Sequence, residues 1–163
     1  MPYTSTPRTW VAGEVPTATH FNDNLRDFAR GFTDAWTSYT PTLTASTTNP
    51  TNWTQTGYYM QVGKLVIAKF DLLAGASMTP GSGFYRVALP VAANVGGIAQ
   101  FPGGQVLLSG TSTAGWTALA WVAASTYAEL VYAAGTAVTV AHNAPWTWAN
   151  THRIRGQITY EAA

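Results

Sequence analysis

"YYMQVGKLVIAKFDLL", residues 58–73, is the stretch on which the fold turns. Gly63-Lys64 splits it into two runs rich in β-branched, aromatic and aliphatic side chains, and two such runs joined by a two-residue turn read as a tight antiparallel hairpin. The same texture continues on both sides. Upstream, "WTSYTPTLTAS" (36–46) alternates in strand fashion, with Pro41 marking an edge strand or a strand start, and 46–57 reads as a polar loop around Asn49-Pro50. Downstream, strands are expected in "FYRVALPV" (84–91), "QVLLS" (105–109), "WTALAWVAA" (116–124), "YAELVYAA" (127–134), "AVTVAHN" (137–143) and "HRIRGQITYEA" (152–162). Turns are expected at Pro80-Gly81, Gly96-Gly97, Gly103-Gly104, Gly110, Gly115 and Gly135. About nine short strands at this spacing predict an antiparallel β-sandwich of jelly-roll type over residues 36–163.

Composition agrees with that class. The chain has 163 residues, one domain's length, with 25 Thr and 26 Ala set against seven Trp and eight Tyr. Such usage suits strands with small or hydroxylated outward faces and bulky aromatic anchors inward. A net charge of +1 with a wealth of aromatics argues against disorder. Sparse charge also leaves little repulsion between copies, so part of the surface is expected to be covered by other copies or by another protein. Only Lys64, Lys69, Arg86, Arg153 and Arg155 lie among the basic residues beyond 34, which gives no basic patch for a nucleic-acid backbone. No run reaches the roughly 20 apolar residues of a membrane-spanning helix. The start "MPYTSTPRTW" has no signal-peptide pattern, which predicts a soluble protein made in a cytoplasm.

The N-terminal segment is different. Residues 1–16, with Pro2, Pro7 and Pro16, read as an extended arm carrying Trp10 and Val11. From Pro16-Thr17 to Ala35 the apolar residues Ala18, Phe21, Leu25, Phe28, Phe32 and Ala35 recur at spacings of three and four, which predicts an amphipathic helix over 17–35. In heptad terms these residues occupy a and d, and Asp23, Arg26, Asp27, Arg30 and Asp34 fall at b, c or f, away from the seam. The e and g positions are small or uncharged, which favours a wide buried face, as in a trimer. The same stripe also fits a helix lying on its own domain's sheet.

Recognisable chemistry is missing. "GYYMQVGK" has five residues between Gly57 and Gly63 where a phosphate loop needs four, and Leu65 stands where the loop's Ser or Thr belongs. His20, His142 and His152 have no metal-ligand spacing, and without cysteine no thiolate site exists, so neither metal nor cofactor is expected. A glycosidase pair would have to come from Asp71 and Glu129, and no Gly-x-Ser-x-Gly elbow is present. The expectation is a protein without enzymatic activity. Among the aromatics, Trp53, Trp116, Trp121, Trp146 and Trp148 either fill the core or stack on sugar rings. Trp116, and Trp146 and Trp148 in "PWTW", are the candidates for glycan contact.

The segment "TPRTWVAGEVPTATHFNDNLRDFARGFTDAW" followed by "SYTPTLT" resembles small structural proteins of actinobacterial bacteriophages and prophages, of minor tail, fibre or capsid-surface type. Trp10-Val11-x-Gly13-Glu14, the helix residues Leu25-Arg26-Asp27 and the turn Tyr39-Thr40-Pro41 carry the likeness, with "QVGKLVIAKFDL" and "FYRVALPV" adding to it loosely. The resemblance implies a virion location after synthesis in the host bacterial cytoplasm. It implies an N-terminal arm and helix that attach and trimerise through Trp10, Phe21, Leu25, Phe28 and Phe32, and a β-head displayed outward. The partners implied are further copies of the chain and other virion proteins of capsid or tail. The build suits a capsid decoration protein or a short fibre head. The alternative is a tail-fibre receptor-binding head for host envelope glycans.

Overall fold

The computed structural model describes residues 9, 11–22, 29, 32–96, 101–110 and 115–163. The described residues include a short helix, α1 (Ala18–Phe21), and ten strands: β1 (Thr37–Tyr39), β2 (Leu43–Ala45), β3 (Thr51–Val62), β4 (Leu65–Thr79), β5 (Tyr85–Ala88), β6 (Phe101–Ser109), β7 (Gly115–Ala124), β8 (Tyr127–Ala133), β9 (Ala137–Thr139) and β10 (Arg153–Glu161). The hairpin at Gly63-Lys64 is present as expected. Val62 pairs with Leu65, and Gly63 takes a φ of 58°, the left-handed conformation that glycine adopts without steric cost.

All ten strands belong to one antiparallel sheet, in the order β1-β3-β4-β10-β6-β7-β8-β5-β2, with β9 paired to β8. The expected two-sheet sandwich is therefore corrected to a single curled sheet, a half-barrel. Its curl has a covalent cause. Tyr39 ends the strand at one edge and Leu43 begins the strand at the other, and only Thr40, Pro41 and Thr42 lie between them. Four residue steps span at most about 14 Å, so the two edges have to approach each other. Pro41 is fully buried in this seam.

Side chains along one cross-strand row show how the sheet bends without leaving a void. Tyr39 pairs with Gly57, Gly57 with Phe70, Phe70 with Gly156, Gly156 with Val106, Val106 with Ala118, and Ala118 with Tyr132. Bulky side chains (Tyr39, Phe70, Val106, Tyr132) and small residues (Gly57, Gly156, Ala118) alternate on the inward face, so each bulky group lies beside a neighbour with little bulk of its own. A methyl group on Gly57 would stand 2.5 Å from Tyr39 Cε1. The rest of the core follows the same parity: Val66, Ala68, Leu72 and Ala74 of β4, Leu108 of β6, Ala120 and Val122 of β7, Ala128 and Leu130 of β8, and Ile154 and Ile158 of β10. A core so rich in alanine closes because the strands curl around it.

Two expected loops are strand instead. Residues 51–57 form the first half of β3, where Trp53 is buried while Thr54 and Thr56 face water; polar content had hidden the alternation. Gly103-Gly104 lies inside β6 at a register shift against β7, not in a turn. There a methyl group on Gly104 would meet the Gln157 carbonyl oxygen of β10, so the glycines admit a close backbone approach.

Candidate functional site

Of the expected helix 17–35, residues 17–22, 29 and 32–35 are described; α1, Asn22, Ala29, Phe32 and Thr33 are helical, while Asp34 and Ala35 are not. Trp10, Leu25 and Phe28 lie outside the described residues. The helix start is built as the sequence indicates. Thr17 is the N-cap, its Oγ1 accepts the His20 N–H at 3.3 Å, and His20 Nδ1 accepts the Thr17 N–H at 3.2 Å. No residue of α1 is buried. Val11 is 71% exposed, Val15 80%, Phe21 50% and Phe32 58%. Single exposed apolar side chains are ordinary; here four of them fall in the segment that precedes the sheet. The chain then reaches the sheet at Trp36, whose ring is capped by Lys69 Nζ at 4.4 Å from its centroid.

The tryptophans considered for glycan contact separate. Trp148 is 2% exposed, and its Nε1 donates to the Ala141 carbonyl at 2.8 Å. It packs between Trp53, Tyr85, Trp146 and His152, with ring centroids 5.6 to 6.0 Å apart. Trp148 is thus a core residue, and the expectation that it contacts sugar is corrected: its ring points inward. Trp146 is partly buried in the same cluster. Trp116, 39% exposed, stands apart and packs edge-on against Tyr132 at 5.3 Å.

Asp71 and Glu129 do not form a pair. Their strands β4 and β8 are four spacings apart in the sheet, about 19 Å along its surface. Each carboxylate holds its own arginine: Arg153 Nε donates to Asp71 Oδ1 at 2.6 Å and its Nη2 binds Oδ2, and Arg86 Nε donates to Glu129 Oε1 at 3.0 Å. The three histidines share one local role, each accepting a backbone N–H at Nδ1. His20 takes that of Thr17, His142 that of Gly83 and His152 that of Ala149, all at 3.2 Å. His152 is 7% exposed, and burial holds its pKa below the ordinary imidazole value.

On the outward face, Trp121 of β7 stands directly opposite Glu129 of β8, which in turn stands opposite Arg86 of β5. Sequence reasoning did not bring these together. The run "WTALAWVAA" is apolar on both faces, so its alternation does not reveal which tryptophan points out.

The geometry defines an antiparallel half-barrel β-protein whose described N-terminal residues include the exposed Val11, Val15 and Phe21. No protein-family model, curated protein or solved structure matches the chain.

Proposed function

We propose that this chain is a bacteriophage virion structural protein, a homotrimer displayed on the particle surface as a capsid decoration protein or a short fibre head. The N-terminal arm and a helix over 17–35 attach it, and the β-domain is the displayed head. The observation that carries this reading is the exposure of Val11, Val15 and Phe21 ahead of a sheet whose core is complete without them. A helix packed on its own sheet would bury one face, and α1 buries none. The small e and g residues of the heptad supply the preference for three strands over two. Exposed Leu107 and Leu119 on β6 and β7, in a chain with only 9% charged residues, add apolar surface suited to a crowded particle.

The test is the protein content of purified particles. Mass spectrometry of density-banded virions from cells producing this chain should find it in stoichiometric amount, and Leu25→Asp with Phe28→Asp should remove it. Particles that lack the unaltered chain would rule the reading out.

The receptor-binding alternative requires a sugar site on the head; of the tryptophans first considered for it, Trp148 is core, and Trp116 and Trp146 contact different rings.

A further inference from the structure

The outward face of β7, β8 and β9 carries a groove of about 200 Å³ lined by Trp121, Ala123, Glu129, Val131, Ala137 and Thr139. Its parity is opposite to that of the buried Ala120, Val122, Ala128 and Leu130, so it opens to solvent and is not part of the core. Small residues make the room. Ala123 falls where the β7–β8 register shifts, between Val122 and Ala124, a bulge of the kind that re-aims neighbouring side chains. Ala137 lies on the three-residue β9, whose sheet partner is β8.

The walls are chemically distinct. Trp121 offers the exposed part of a partly buried indole, whose Nε1 is shielded from solvent and has no hydrogen-bond partner among the described residues. Across from it, Glu129 is held in place because Arg86 Nε donates to its Oε1 at 3.0 Å, while the Arg86 guanidinium lies 4.6 Å from the centroid of the Tyr127 ring. This pairing leaves Glu129 Oε2 without a hydrogen bond among the described residues. Thr139 adds a hydroxyl. Because Arg86 balances the carboxylate, the groove carries no net charge to attract a phosphate or an ammonium group. It offers an aromatic wall, a carboxylate acceptor and a hydroxyl within a volume below that of drug-sized pockets. Those features match one neutral, polyhydroxylated ring, whose C–H face covers indole and whose hydroxyls donate to carboxylate.

We infer that the groove between Trp121, Glu129 and Thr139 binds a single neutral pyranose sugar residue. The site is separate from the N-terminal segment and stands or falls independently of trimerisation. A ligand of this size held by so few groups binds in the millimolar range.

The experiment follows the indole N–H resonance of Trp121 in the ¹⁵N-labelled full chain, identified by Trp121→Phe, during titration with glucose, galactose, mannose and N-acetylglucosamine. At least one sugar should shift it saturably with a millimolar Kd. Ala137→Trp, which fills the groove from an exposed edge strand, should weaken binding at least about tenfold while the six original indole resonances other than that of Trp121 keep their positions. Leu25→Asp with Phe28→Asp should leave the titration unchanged, which separates this site from the assembly reading. Inorganic phosphate should not move the resonance. The inference is overturned if no sugar shifts the resonance at concentrations to about 50 mM, or if Ala137→Trp binds as well as the unaltered chain. Soluble polysaccharide ending in the active sugar distinguishes a chain-end site from one for the free monosaccharide: with the former, it competes at equal residue concentration.

Discussion

Phe70 lies across Gly156: a methyl group added at Gly156 would stand 2.7 Å from Phe70 Cζ and 2.8 Å from Val106 Cγ2. The glycine is a small member of the bulky-and-small row that lets ten strands curl into one half-barrel. Gly156→Ala should therefore destabilise the fold by about 1–3 kcal/mol, as overpacking of a filled core does. Urea unfolding measures it, and Phe70→Leu in the same chain should recover part of the loss. Additive effects of the two changes would show that the contact does not constrain the curl.

Trp148 is a packing residue in this structure. Trp148→Ala should cost about 3–5 kcal/mol, because it removes a fully buried ring and leaves a cavity between Trp53, Tyr85 and Trp146. The same change at Trp116, which is 39% exposed, should cost less than half as much. Thermal melts of the two variants side by side check the ranking.

His152 sets an acid limit on stability. Its folded-state pKa is lowered by burial, and its proton would have to go to Nδ1, the atom that accepts the Ala149 N–H. The unfolded chain, with a histidine pKa near about 6.5, then binds the proton more readily than the folded one. Stability should be full above that pH and fall as pH drops from about 6.5 toward the folded value. Glu161, whose pKa is lowered by hydrogen bonds from Asn94 and Lys64, adds its own loss only below the ordinary carboxylate value, so the two windows separate. Urea midpoints between pH 7.5 and 5 should decline in the unaltered chain and decline less in His152→Gln.

Pro41 closes the seam between Tyr39 and Leu43. Pro41→Gly removes a buried ring and frees the backbone of the unfolded state, and should cost about 2 kcal/mol. Chemical denaturation measures this. A loss below about 0.5 kcal/mol would mean that the edges are held together by side-chain packing elsewhere.

Much of the sheet was legible in the sequence because its strands alternate and its turns carry glycine or proline. The hairpin at Gly63-Lys64 and the strands β5, β8 and β10 fall within the stretches their patterns marked, and β7 adds to its stretch only Gly115, which was expected in a turn. What stayed hidden has specific causes. Thr54, Gln55 and Thr56 made half of β3 look like a loop, since an outward threonine face resembles loop composition. Gly103-Gly104 looked like a turn because the close approach of β10 that requires it comes from some 50 residues away. One sheet rather than two is a property of pairing order, which local periodicity does not encode. At the candidate sites, the three-and-four spacing singled out Phe21 and Phe32, both exposed, whereas the Trp121–Glu129 groove depends on cross-strand register.

The assembly claim is tested most directly by the mass of the full chain in solution. Sedimentation velocity at tens of micromolar should give a species of three times the 17.4 kDa chain mass, and Phe21→Asp with Leu25→Asp should reduce it to the single-chain mass with an unchanged melting temperature of the β-domain. A monomer for the unaltered chain at that concentration, or an oligomer that survives both aspartates, would contradict the account.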